Sequence, residues 1–166
     1  NTPLEKFEPT QRGYAFTYDT LNRLKDAAHR EFTVAWSPAA SYHEGNLKYD
    51  LNGNIRHLER KGKAGADMDE LSYQYDGNRL LQVTDAADTE EGFKDGNTGS
   101  DDYLYDANGN MITDKNKDIA SIAYNNLNLP SQVTKTNGEH VKYIYNAAGI
   151  KLSQQVYDSL NTLKKQ

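Results

Sequence analysis

Acidic side chains recur directly after tyrosines along this chain, and they are the first candidates for chemistry. The set comprises Asp19, Asp50, Asp76 and Asp106, with Asn125 and Asn146 at the same place in two further copies. A carboxylate can act as a general acid or base, or can bind a cation. Aspartate and asparagine also accept hydrogen bonds from the N–H groups of tight turns. Because a catalytic residue is rarely needed six times, the repetition favours the turn role.

A second candidate site is the segment 114–118, where oxygen-bearing side chains alternate as they do in a calcium loop. Ile119 stands where such a loop needs a glycine, and two intervening lysines reduce the negative charge. Asp114, Asn116 and Asp118 are therefore weak calcium candidates. The competing interpretation is a solvated turn.

The remaining catalytic residue types show no recognisable arrangement. The four histidines, at positions 29, 43, 57 and 140, lack a paired metal spacing, and no serine lies beside one in a nucleophile motif. The chain has no cysteine, which excludes thiolate catalysis, disulfides and cysteine-based zinc sites. We therefore predict a protein that is not an enzyme and has no cofactor.

Aromatic residues are dominated by tyrosine, with 12 Tyr against 4 Phe and 1 Trp. Tyrosine stripes and Trp36 could stack on sugar rings, provided that the rings stay exposed on one face. Alternation places Tyr73 with Tyr75, and Tyr143 with Tyr145, on a common face, which favours packing within the sheet. Glycan binding remains the less favoured interpretation.

The elements that position these residues are best seen around Tyr105. Tyr103 and Tyr105 alternate with polar or aliphatic neighbours as in a strand, and Met111 resumes an extended path. Between them, Asn108-Gly109 is the dipeptide that most easily supplies two residues with positive φ. This pattern predicts a two-residue hairpin.

The same phrase returns along the whole chain, with anchor tyrosines at 18, 49, 75, 105, 124 and 145. A strand-turn-strand unit repeated every 20–30 residues or so predicts an array of hairpins. The predicted repeat anchors are Tyr18, Asp19, Tyr49, Asp50, Gly53, Tyr75, Asp76, Tyr105, Asp106, Gly109, Tyr124, Asn125, Tyr145, Asn146 and Gly149. We predict an all-β fold of consecutive antiparallel β-hairpins in an extended, curved repeat sheet.

The predicted organisation is a lead-in segment over 1–12, a repeat region over 13–157 and a polar tail over 158–166. The repeat region also contains an acidic insertion over 84–102, which we expect to be a surface loop or mobile excursion. The insertion carries a charge of −6, so the rest of the chain sums to +1. Without a basic stripe or an 18-residue apolar run, we expect neither a nucleic-acid partner nor a membrane span.

The repeated phrase, Tyr-Asp-x-x-Gly-Asn, resembles the hallmark of the Rhs-repeat, or YD-repeat, family. Tyr49–Asn54 and Tyr105–Asn110 carry it nearly intact, and the resemblance extends over about 13–156. The run from Gly92 through Pro130 looks specifically similar to Rhs-repeat proteins of Bacteroidetes. The chain has no Asp-Pro core motif of the type that precedes self-cleavage, and it carries no toxin domain, so neither activity is assigned to it.

The resemblance implies a structural repeat module of an exported protein, at the cell surface or outside the cell. The family's repeats form a shell that encloses or presents a C-terminal toxin or effector domain. The implied partners are further YD repeats and that domain in the same polypeptide. Because the chain begins with Asn1, we expect a fragment whose export signal lies upstream. Its open sheet edges favour an edge-strand homodimer. The alternative function is a cell-surface adhesion or glycan-binding module.

Overall fold

The computed structural model describes residues 11–87 and 90–166, whose regular structure is antiparallel strands with two short 3-10 turns. The all-β fold of consecutive antiparallel hairpins is confirmed. Nearly all of the lead-in predicted over 1–12 lies outside the described residues, and Gln11 already belongs to the first strand. The helical segments are too short and too polar, in the described part of the chain, to span a membrane.

The first sheet contains seven strands in the order β1-β2-β4-β5-β6-β7, with β3 paired to β2. Its strands are β1 Gln11–Tyr18, β2 Leu24–Phe32, β3 Trp36–Pro38, β4 Glu44–Tyr49, β5 Ile55–Lys61, β6 Asp67–Asp76 and β7 Arg79–Asp85. The residues 21–31, which could form a helix on length alone, instead lie in a turn and a return strand. The hairpin order in this sheet therefore follows the chain order.

The second sheet also contains seven strands, and its path runs β14-β13-β12-β11-β10-β9-β8 without a crossover. Its strands are β8 Tyr103–Tyr105, β9 Met111–Asp114, β10 Ile119–Tyr124, β11 Pro130–Lys135, β12 His140–Tyr145, β13 Lys151–Tyr157 and β14 Leu163–Lys165. Hairpins that we expected in one repeat sheet are thus divided between two sheets.

The chain divides into two compact units. The first unit runs to Asn78 and includes Val83–Lys94, and the second comprises Arg79–Gln82 and Asp95–Gln166. Each has a thin core: among the described residues the buried apolar side chains are Ala27, Leu71, Val83 and Tyr103. Open sheets with half-buried faces suit a chain whose hydrophobic content is only 36%.

Two further stretches contain reversals of the chain. The run 32–36 forms the turn between β2 and β3, in which Phe32 pairs with Trp36 and Val34 is exposed. Within the predicted polar tail over 158–166, Leu163–Lys165 form β14, which pairs with β13.

The acidic insertion is a loop whose described part is hydrogen-bonded to the strands. In the first unit, buried Asp69 accepts from the backbone N–H of Phe93. In the second unit, the Asn97 amide donates to fully buried Asp102, and the Asn97 backbone N–H donates to Asn116. The insertion begins later than predicted, because Thr84 and Asp85 still belong to β7.

Candidate functional site: the repeated hairpin turn

Six hairpins share one turn geometry. In each, the anchor tyrosine pairs with the residue six positions later, and the ladder shifts register at that tyrosine. The pairs are Tyr18 with Leu24, Tyr49 with Ile55, Tyr105 with Met111, Tyr124 with Pro130, Tyr145 with Lys151 and Tyr157 with Leu163. Because the pairing distance of six residues and the register shift at the tyrosine are the same in every case, these six hairpins contain the same type of loop.

The loop around Asp106 shows the backbone arrangement. The Asp106 N–H donates to the Asn110 carbonyl at 2.9 Å, and the Gly109 N–H donates to the Asp106 carbonyl at 3.0 Å. Gly109 has φ of +84°, whereas Asn108 keeps a negative φ. This is a three-residue loop that ends in a left-handed residue. The predicted two-residue hairpin with positive φ at both Asn108 and Gly109 is therefore wrong.

The left-handed position of this loop accepts two residue types. Glycine occupies it at positions 53, 109 and 149, with φ between +78° and +87°. Asparagine occupies it at Asn22, Asn128 and Asn161, with φ between +56° and +61°. Asparagine tolerates the left-handed region better than other side chains do. The apparent loss of glycine from some copies of the phrase therefore leaves the turn intact.

The aspartate or asparagine after each anchor tyrosine closes its loop through the side chain. Oδ1 of Asp106 accepts from the N–H groups of Asn108 and Asn110, both at 2.9 Å. The same two bonds, between 2.8 and 3.0 Å, are made by Asp19, Asp50, Asn125, Asn146 and Asp158. The predicted acceptance of turn hydrogen bonds is thus present at five of the six predicted positions, with Asp76 the exception, and also at Asp158, which was not predicted.

The last residue of the phrase adds a further bond. Nδ2 of Asn110 donates to Oδ2 of Asp106 at 2.9 Å, and Asn54 does the same to Asp50. In the first hairpin, Arg23 takes this place and its Nε lies 2.7 Å from Oδ2 of Asp19. Both carboxylate oxygens are then used, which explains why the best-preserved copies end in asparagine.

These hydrogen bonds set the ionisation of the turn carboxylates. The side-chain bond from Asn110, helped by backbone N–H groups, lowers the pKa of Asp106 below its ordinary value. Asn54 lowers the pKa of Asp50 in the same way, and Lys164 that of Asp158. For Asp19 the largest cause of the lowered pKa is the backbone N–H of Arg23. Such groups are ionised acceptors at neutral pH rather than proton donors.

The anchor tyrosines join neighbouring hairpins. The hydroxyl of Tyr124 donates to the carbonyl of Met111 at 2.7 Å, and Met111 is the residue paired with the preceding anchor, Tyr105. Tyr49 donates likewise to Leu24, and Tyr145 to Pro130. Each bond links the start of a return strand to the anchor of the next hairpin.

One further anchor follows this rule across a different turn. Tyr105 donates to the Leu80 carbonyl at 2.8 Å, near the start of the return strand after Tyr75. Burial raises the pKa of both Tyr105 and Tyr124, and it raises the pKa of Tyr103 to about 12. These phenols therefore remain protonated donors under ordinary conditions.

Tyr75 and Asp76 depart from the shared geometry. Asp76 is the last residue of β6, and the reversal that follows has only two residues, with Gly77 at φ of +58°. This turn is one residue shorter than the three-residue loop around Asp106. The neighbouring hairpin still contacts it, since the Asn54 amide donates to the Gly77 carbonyl at 3.2 Å.

Two further turns in the described chain are related to the six predicted copies, and the sequence analysis missed the first of them. Tyr157-Asp158 begins a copy in which Asn161 replaces glycine, only 12 residues after the preceding anchor. The loop 136–138 has the same backbone bonds, with Lys135 in place of the aspartate and Gly138 at φ of +88°. The first could have been found by accepting asparagine at the glycine position.

The calcium candidates have separate structural roles. Asp114 caps a 3-10 turn by accepting from the Lys117 N–H, and its carboxylate also lies 3.4 Å from Nζ of Lys117. Oδ1 of Asn116 accepts from the Asn97 N–H, and Asp118 is the left-handed residue that ends the turn. Calcium binding at these residues stays a prediction, and their observed partners belong to the turn.

Two histidines each contact a residue of a type found in catalytic triads, but the serine contacts one histidine and the aspartate contacts the other. Oγ of Ser41 lies 3.4 Å from Nδ1 of buried His29, which packs between the rings of Tyr14 and Tyr42. The carboxylate of Asp26 instead contacts His43 at 2.8 Å. The described residues therefore do not align a serine, a histidine and an aspartate in one relay.

Exposed aromatic side chains are concentrated in the first unit. Tyr14, Phe16 and Tyr18 alternate along β1 and are 47–56% exposed, and β1 is the end strand of its sheet. Trp36 is 52% exposed and lies against Gly13. By contrast, Tyr143 and Tyr145 contact each other with ring centroids 6.5 Å apart.

In comparisons with known proteins, no family model matches this sequence, and no curated protein matches it.

Proposed function

We propose that this chain is a non-enzymatic structural repeat module of an exported, Rhs-type protein. It forms part of a shell that encloses or presents a C-terminal toxin or effector domain. The observation that carries this proposal is the hydroxyl bond from one hairpin's anchor tyrosine to the preceding hairpin, as from Tyr124 to Met111. The bond recurs at Tyr49, Tyr105, Tyr124 and Tyr145, and a contact that repeats between neighbouring hairpins extends a surface, which is what a shell requires.

The chemistry of the repeated residues also supports a structural role. The turn carboxylates accept hydrogen bonds from N–H groups of their own loops, and the tyrosine hydroxyls donate hydrogen bonds to carbonyls of neighbouring hairpins. A catalytic group must instead direct its polar atom towards a substrate. The module's main partners are then further repeats and the effector domain of the same polypeptide, and no cofactor is required.

Protease protection in the intact parent polypeptide tests the proposal. We expect the C-terminal domain to resist digestion in the intact protein and to become sensitive when Tyr124→Phe and Tyr145→Phe are combined. Tyr143→Phe serves as the control, because among the described residues the Tyr143 hydroxyl makes no hydrogen bond to a neighbouring hairpin. A C-terminal domain that is digested as fast in the intact protein as in isolation would contradict the shell function.

The exposed aromatic side chains favour an adhesion or glycan-binding module as the second candidate function. Rings that are about half exposed can stack on sugars, and Phe16 presents such a ring on one face of the sheet and Trp36 on the other. A glycan array compared between the wild-type protein, Phe16→Ala and Trp36→Ala tests this candidate, with Leu51→Ala as a control at an exposed turn. Binding lost only in the two aromatic variants would favour adhesion, and a uniformly negative array would count against it.

A further inference from the structure

Three side chains with metal-ligating atoms meet on one face of the first sheet. They are His57 and Glu59 on β5 and Glu70 on β6, and their ligand atoms all lie within 4.8 Å of one another. His57 and Glu59 are two residues apart on one strand and therefore project from the same face. Glu70 is the direct cross-strand partner of Glu59, so it joins them there.

Two carboxylates lie directly opposite each other at this position, and such pairs on adjacent strands repel. Arg60 pairs with buried Asp69, whereas Lys61 pairs with Asp67 and also interacts favourably with Glu59 and Glu70. Lys48 lies opposite His57, but it is exposed.

The Asn46 amide provides a separate indication that a positive centre fits between the ligands. Its nitrogen donates to Oε1 of Glu59 at 2.5 Å and lies 3.3 Å from Nε2 of His57. Asn46 reaches this position from an irregular part of β4, where it has φ of +52° and the pairing with β5 shifts register. The partially positive amide N–H₂ group of Asn46 therefore already lies next to both Oε1 of Glu59 and Nε2 of His57 on β5.

The spacing of the acceptors suits a metal ion. Nε2 of His57 lies 3.1 Å from Oε1 of Glu59, and two ligands of one ion at bond lengths of about 2.0–2.2 Å are separated by roughly 3 Å. Glu70 is exposed and can change rotamer to complete the set.

We propose that His57, Glu59 and Glu70 form a binding site for a divalent transition-metal ion. One imidazole with two carboxylates suits zinc or manganese better than calcium, which prefers oxygen ligands alone. The ion would neutralise the opposed glutamates and would link β5 to β6. This site is independent of the shell function, because it uses none of the turn residues.

Calorimetry with Zn²⁺ on the wild-type chain tests the site. We expect one bound ion per chain and an increase in Tm on metal addition, because a ligand that binds only the folded state stabilises it. His57→Ala and Glu70→Gln should each weaken Zn²⁺ binding by at least about tenfold and abolish the Tm increase. Ca²⁺ should bind more weakly than Zn²⁺ in the same assay.

Glu70→Gln distinguishes a metal site from a purely structural cluster. Without metal this variant should be at least as stable as the wild type, because it removes the repulsion with Glu59. Glu31→Gln and His140→Ala are the matched controls, and both should retain wild-type Zn²⁺ affinity. The proposal would be overturned if the wild type did not bind Zn²⁺. It would also be overturned if His57→Ala and Glu70→Gln both kept the Zn²⁺ affinity of the wild type.

Discussion

At the scale of single residues, the repeated phrase is turn chemistry. Asp106 accepts from two N–H groups of its own loop, Asn110 holds the second carboxylate oxygen, and Gly109 provides the left-handed backbone. Each of these roles requires one residue type for a stated physical reason. The repeated sequence pattern therefore specifies one loop conformation. Other copies form the same loop with asparagine in place of the aspartate or the glycine.

The first prediction concerns Gly109, where an added Cβ would meet no atom within 4 Å. Any cost of substitution must therefore come from the backbone at φ of +84°. We expect Gly109→Val to lower the free energy of unfolding by about 1–2 kcal/mol, because a β-branched residue resists positive φ. Denaturant titration measures this change.

Gly109→Asn is the matched control. Asparagine already occupies the equivalent position at Asn22, Asn128 and Asn161, so we expect a loss below about 0.5 kcal/mol. Equal losses for the valine and asparagine variants would show that the left-handed conformation does not determine the cost.

The second prediction concerns acid sensitivity. The folded-state pKa of Asp106 is lowered, so its contribution to stability is present above the unfolded pKa and is lost as pH falls below it. The loss should begin at about pH 4, near the unfolded value for aspartate. Asp106→Asn should remove this part of the pH dependence, because Asn125 and Asn146 make the same turn bonds without a charge.

Denaturant titrations of wild type and Asp106→Asn at pH 7 and pH 3 measure this effect. The difference in stability between the two pH values should be smaller for the variant. An unchanged difference would mean that the Asp106 carboxylate is not held by its turn in solution.

At the scale of elements, the hairpins are connected by tyrosine hydroxyls and by residues at the turn ends. Tyr145 donates to the Pro130 carbonyl, and the Asn110 amide reaches Oδ1 of Asn128 at 3.2 Å. In the first unit, the Arg23 guanidinium reaches the Asp50 carbonyl at 3.2 Å. These contacts add to the backbone ladders and fix each hairpin against its neighbour.

The third prediction tests this connection. Tyr145→Phe should lower the free energy of unfolding by about 1 kcal/mol, because it leaves the half-buried Pro130 carbonyl without its donor. Tyr143→Phe removes a hydroxyl from the same strand and should cost less than about 0.5 kcal/mol. Thermal or denaturant unfolding of both variants gives the comparison, and equal costs would contradict a specific role for the Tyr145 hydroxyl.

At the scale of the whole molecule, the chain consists of two compact units with open sheets. The first sheet ends in β1, which pairs on one side only among the described residues and carries the exposed side chains of Tyr14, Phe16 and Tyr18. An exposed apolar edge strand is a template for pairing with another chain. The expected edge-strand homodimer would form there.

The fourth prediction follows from this edge. Phe16→Lys should reduce self-association, because a lysine on an edge strand opposes pairing with a second copy. Light scattering coupled to size-exclusion chromatography over a range of concentrations measures it. Leu51→Lys changes a fully exposed turn residue and should leave association unchanged. A wild-type chain that stays monomeric at every concentration would contradict the homodimer.

Much of the fold could be predicted because its signals are local. Tyr105, Asp106 and Gly109 lie within five residues, so strand alternation and turn propensity identify the hairpin. The turn type was mispredicted because Asn108-Gly109 is compatible with both a two-residue and a three-residue loop. Only the pairing of Tyr105 with Met111 distinguishes the two.

The sequence by itself determined the all-β class, the order of the hairpins and the turn role of the repeated aspartates, because those features depend on contacts within about six residues. The tertiary structure decided the contacts between distant residues: the bond from Tyr49 to Leu24, and the meeting of His57 with Glu70. Those contacts depend on strand register, which is fixed by pairing between segments far apart in the chain.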